Sequence, residues 1–168
     1  MRAAIVAPVL LLSCAAQAQD AAKTLPRAAF EQAYKDADCD EEFDEVFEKA
    51  EVSDLGAGKK LVLVRCWRAA YQNGSVVFLL EKDRPTALTF ESWDKGKKDR
   101  LGVLVEASYD EKTKTIEHFH KGRGVGDCGA MGRWRWTGKD FKIVSYHFKD
   151  DCDGTPFEGR KWQTYPRR

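Results

Sequence analysis

The spacing of apolar positions changes once along the chain, near residue 60. Before that point Phe30, Ala33, Tyr34 and Ala37 recur at the i, i+3, i+4, i+7 interval that stacks side chains on one face of a helix. Thr24 stands where a capping hydroxyl belongs and Pro26 falls in the first turn, so a helix is predicted to open there. A second, shorter helix is predicted over residues 42–50, where Phe43, Val46 and Phe47 make an apolar stripe through an acidic surface.

From residue 60 onward the period is that of strands. Residues 61–67 and 75–80 are runs rich in Val and Leu, separated by Asn73-Gly74, a hairpin signal. A strand over 87–92 is expected after the turn Asp83-Arg84-Pro85, then a polar loop over 94–100 and a strand over 101–109. The turn 110–114 returns the chain as 115–120, and after a glycine loop come strands at 133–136, 141–148 and 160–165. The pattern predicts an α+β chain, mainly β: short N-terminal helices followed by an antiparallel meander of about seven strands.

The first residues stand outside this pattern. Arg2, an apolar stretch over 3–12 and Ala16-Gln17-Ala18 read as a secretory signal cleaved after residue 18, with 19–23 a flexible leader and 24–168 one folded domain. Its apolar stretch is too short to span a bilayer. The alternative takes Leu11-Leu12-Ser13-Cys14 as a lipobox, with the protein anchored at Cys14. Either reading places the chain in the periplasm or outside the cell.

Export changes the meaning of the cysteines. Cys39, Cys66, Cys128 and Cys152 remain after residue 18, an even number that in an oxidising compartment reads as two disulfides. Three pairings are open; the favoured one joins Cys39 to Cys66 and Cys128 to Cys152, because each pair brackets a separate structural block. A zinc site built from the four thiolates is the competing reading, and it lacks any C-x-x-C pair. The whole chain carries 28 basic and 27 acidic residues, and loss of Arg2 with the signal brings the two into balance. Such a surface does not suit a dedicated nucleic-acid binder, which needs excess cations to displace counterions from phosphates.

The stretch Gly124-Val125-Gly126-Asp127-Cys128-Gly129 spells G-x-G-x-x-G, the spacing of a dinucleotide loop. That loop works between a parallel strand and a helix N-terminus. Here Arg133-Trp134-Arg135-Trp136 and a turn follow, which read as a hairpin, so the glycines are assigned to a tight turn pinned at Cys128. No cofactor is implied.

The wider frame is more specific. Lys121-Gly122-Arg123-Gly124-Val125-Gly126-Asp127-Cys128-Gly129, then Trp134-x-Trp136-x-Gly138-x-x-Phe141 and Cys152-x-Gly154, resembles the C-terminal half of a bacterial exported family catalogued as domain of unknown function 1176. Leu63-Val64-x-Cys66 and Ala70-Tyr71-x-Asn73 resemble its other typical element, with Ala69 where the family often has Gly. The resemblance covers roughly residues 35–165. It implies a fold and a compartment, and no reaction.

Candidate chemistry lies around the same block. His118 and His120 are two apart on a predicted strand, so both rings face one way and could share a metal with Asp127 or His147. Cys128 with His120 or His147 would make a nucleophile pair only if the cysteine were free. Asp127 with Glu117 or Glu106 could serve as a carboxylate pair. Trp134 and Trp136 share one strand face and fill a core, whereas Arg133 and Arg135 share the other. With Arg123 and Asp127 these arginines are the candidate binding residues, for an acidic envelope protein or an anionic glycan. The leading expectation is a non-catalytic binding or inhibitory module; the alternative is a metal- or carboxylate-dependent envelope hydrolase using His118, His120 and Asp127.

Overall fold

A computed structural model describes residues 24–155 and 162–166. The predicted signal, the leader, Cys14 and the first residues of the predicted last strand, Arg160 and Lys161, lie outside the described residues. The chain is α+β and mainly β, with antiparallel sheets and two disulfides. Helices α1 (Arg27–Lys35) and α2 (Phe43–Phe47) come first. Pro26, not Thr24, occupies the N-cap position of α1, and α2 is shorter than its apolar stripe suggested.

Twelve strands follow among the described residues, in three sheets instead of one meander of about seven. The first sheet takes β1 (Glu51–Gly56), β2 (Lys59–Arg68), β3 (Asn73–Glu81) and β4 (Arg84–Ala87) in that order, with β7 (Val103–Val105) also on β3. The second runs β12 (Gln163–Tyr165), β11 (Phe141–Lys149), β10 (Gly129–Trp136), β9 (Thr115–Lys121), β8 (Ser108–Asp110). A two-stranded ribbon, β5 (Phe90–Asp94) with β6 (Lys97–Leu101), forms the third.

The undercount has local causes. Strand β1 starts before residue 60 and was hidden by its acids. The stretch expected as a polar loop, 94–100, is a hairpin whose turn is made at Lys95 and Gly96, both with positive φ. The stretch expected as one strand over 101–109 crosses between sheets, and Glu106, at φ +46°, makes the corner. Asn73-Gly74 is no turn: both residues lie in β3, and a Cβ on Gly74 would stand 2.3 Å from the Trp67 ring. The connection there is the turn closed by Ala69 N–H donating to Gln72 O at 2.8 Å. Similarly, Lys82 and Asp83 form the β3–β4 turn with positive φ, and Pro85 sits on the edge strand, where its missing N–H costs no ladder bond.

Two cores share the first sheet. Alternate residues Val62, Val64, Val76 and Phe78 face the helices and pack with Phe30, Tyr34, Phe43 and Phe47. The intervening Leu61, Leu63 and Val77 face the second sheet and pack with Ile116, Trp134, Trp136 and Tyr146. A sheet covered on both faces needs apolar residues without alternation, which is why β2 and β3 read as continuous runs. Cys39–Cys66 ties the segment between α1 and α2 to β2, and Cys128–Cys152 ties the glycine loop to the segment after β11, the pairing favoured from sequence.

Candidate functional site

Strands β9 and β10 pair from Lys121↔Gly129 to Thr115↔Arg135, so residues 122–128 are the tip of a hairpin. Close packing or a positive φ explains three of the four glycines from 122 to 129. A Cβ on Gly129, at φ +128°, would stand 2.0 Å from His120 O, and one on Gly122 would stand 2.7 Å from Cys128 Sγ. Gly126 adopts φ +69°. Gly124 differs: its φ is not in the left-handed region, and nothing lies within 4 Å of a Cβ built there.

A polar cluster holds this tip in place. Asp127 is buried, and its carboxylate accepts from Arg123 Nε at 2.8 Å, from Arg123 Nη2, and from Gly154 N–H at 2.6 Å. The Arg123 guanidinium, and after it the Gly154 N–H, hold the Asp127 carboxyl well below the usual carboxylate range, against the opposing effect of burial. Arg123 Nη2 also donates to Cys152 O at 3.0 Å. Lys149, buried at the end of β11, donates to Asp127 O at 2.9 Å and to the Asp153 carboxylate. Ion pairs, backbone bonds and a disulfide therefore clamp the glycine loop to residues 149–155.

The loop is also fixed from the other side. Gln72 donates to Lys121 O at 3.0 Å and accepts from Lys121 N–H at 2.7 Å, so its side chain continues the strand edge like a backbone amide. Next to it Tyr71 is 77% exposed, and across the loop Val125 is 75% exposed. These two residues, with Arg123, Gly124 and Gly154, line an open depression of about 690 Å³. All five come from the segments that carry the family resemblance, which are separated in sequence and meet at this surface.

The other candidates are placed elsewhere. Trp134 and Trp136 are buried in the second core, and Arg133 and Arg135 are exposed on the outer face of the second sheet. Arg133 pairs with Glu117 at 2.8 Å and lines a different depression, with Phe119, Met131, Ser145 and His147. Arg123 and Asp127 thus meet, and Arg133 and Arg135 do not join them.

His118 and His120 do share a strand face, with ring centroids 6.5 Å apart. His118 is buried beside Trp134, and its Nδ1 accepts the Val105 N–H at 2.8 Å. Burial, helped by neighbouring His120, pushes its pKa down to about 4, so the ring is neutral. Among the described residues, the group whose ligand atoms converge is Asp127, Cys128 and Cys152, without either histidine. Both sulfurs are spent in the disulfide, which also removes Cys128 as a nucleophile. Asp127, bonded to Arg123 and Gly154, is not available as half of a carboxylate pair.

Sequence reasoning missed Tyr71, Gly124 and Val125 as surface residues. The available signal was an aromatic and a β-branched residue inside segments otherwise built of turn formers.

A family model described as "Protein of unknown function (DUF1176)" matches residues 2–167. The chain belongs to this family. The match reaches further toward the N-terminus than the motifs themselves. The uncharacterized protein YpfG of Escherichia coli (strain K12) is 30% identical over 109 residues, which cover 61% of this chain and 30% of that protein. The chain therefore spans under a third of this relative's length. No solved structure matches.

Proposed function

We propose that the chain is a non-catalytic binding module of the cell envelope, and that its contact surface is the depression lined by Tyr71, Arg123, Gly124, Val125 and Gly154. One observation carries this reading: two of the large apolar side chains most exposed among the described residues flank one depression, on a base held by a disulfide and a half-buried ion pair. Exposed apolar groups on a pre-set frame are what a binding surface requires, because little ordering entropy remains to oppose association. The partner class is an envelope protein or a glycan. The disulfides are compatible with a periplasmic or extracellular site, and no helix among the described residues is long and apolar enough to cross a membrane.

The test is a photo-crosslinking residue placed at Val125 in cells and challenged with envelope fractions. A saturable adduct that is lost in Tyr71→Ala is expected. Absence of any saturable adduct or retained ligand, from soluble extract and cell-wall fractions alike, would overturn the reading.

A further inference from the structure

We propose that the depression beside Tyr71 binds a neutral saccharide ring; this rests on the binding-module reading and names its ligand. The first argument is the unspent hydrogen-bonding capacity of Arg123. Its Nε and Nη2 are committed to Asp127 and Cys152 O, which fixes the plane of the guanidinium. Among the described residues nothing accepts from Nη1, and the side chain is half exposed where it lines the depression. Nη1 therefore offers two N–H donors in a set orientation.

The second argument is charge. Arg123 faces the Asp127 carboxylate and Lys149 faces Asp153, so the cations of the clamp are already neutralised. Lys121, the remaining cation of the loop, lies over the Phe119 ring and does not line the depression. On the adjoining segment Asp150 pairs with Lys95, and Asp151 adds a negative charge beside it. Among the described residues a phosphate or carboxylate would find no spare positive charge here, whereas hydroxyl and amide oxygens need only donors. This favours a neutral glycan over the anionic one expected from the count of arginines.

The third argument is shape. Tyr71 is held by its turn, makes no hydrogen bond or ring contact among the described residues, and offers a bare aromatic face. The electron-rich face of an aromatic ring attracts polarised C–H bonds, which a pyranose presents across one side. Gly124 completes the picture. Neither its φ nor its packing requires glycine, so the lack of a side chain serves to keep the depression open. The exposed apolar area is one ring and one valine, small for a protein interface, which buries about 800 Å² on each partner.

The experiment titrates ¹⁵N-labelled protein with three trisaccharides: chitotriose and cellotriose, both neutral, and trigalacturonate, which is anionic. The expected result is saturable shift changes at Tyr71, Arg123, Gly124, Val125 and Gly154 with at least one neutral trimer, and weaker binding of trigalacturonate. Tyr71→Ala and Gly124→Leu should each weaken binding about tenfold or more with unchanged melting temperature, since neither side chain supports the fold. No shift change up to about 10 mM, tighter binding of trigalacturonate, or changes confined to another face would overturn the saccharide. If saccharides fail while the Val125 crosslinker captures a protein in a Tyr71-dependent manner, the ligand assignment falls and the binding module stands. If both fail, both fall.

Discussion

Replacing His118 with asparagine should remove one specific part of the protein's acid sensitivity. His118 is buried against Trp134, and its Nδ1 accepts the Val105 N–H that links β7 to β9. An imidazolium cannot accept that bond, and its charge would be desolvated. Burial therefore lowers the pKa from 6.5 to about 4. A histidine with a depressed folded pKa stabilises the protein fully above pH 6.5. As pH falls below 6.5 the unfolded chain takes up the proton first, so stability is lost progressively down to about 4. The loss amounts to about 2 kcal/mol at pH 5 and about 3 kcal/mol at pH 4. Asparagine places an amide oxygen near the Nδ1 position and does not titrate. Urea unfolding at fixed pH values between 7.5 and 4 measures the effect. His147, whose pKa is also pushed down by burial, contributes equally to both proteins and cancels in the difference. Asp127 titrates below the window, since its carboxyl is held under the usual range. The expected result is a wild-type curve that falls about 2 kcal/mol more steeply than that of His118→Asn between pH 7 and 5. Parallel curves would refute the buried neutral histidine.

Two further outcomes test the hairpin tip. Gly129→Ala should lower the yield of folded protein or shift the melting transition far down, because its Cβ would fall 2.0 Å from His120 O at φ +128°; Gly124→Ala, in open space, should leave the transition in place. Asp127→Asn should lower the melting temperature by several degrees and increase hydrogen exchange at Gly154, since the amide cannot serve both Arg123 and the Gly154 N–H as two carboxylate oxygens do; unchanged exchange would argue against the clamp.

Much of this was legible from local pattern. The helical spacing of Phe30 and Tyr34 and the alternation of Trp134 and Trp136 with Arg133 and Arg135 follow from short-range rules, the cysteine pairing is the favoured one of three, and the structure repeats them. The errors fell where a residue's reason lies on another strand. Gly74 resembles a turn signal until the Trp67 ring is seen above it. Residues 101–109 resemble one strand until two sheets divide them.

The candidate site divides in the same way. Composition, disulfide framework, β character and the identifying glycine-cysteine block belong to the chain read in one dimension, because periodicity and covalent chemistry are local. That Asp127 is buried and bonded to Arg123 and Gly154, that the arginines separate onto two surfaces, and that Tyr71 meets Arg123 and Val125 depend on folding alone. Those facts require contacts across dozens of residues, which no spacing rule encodes and which only the packing of the two sheets brings into reach.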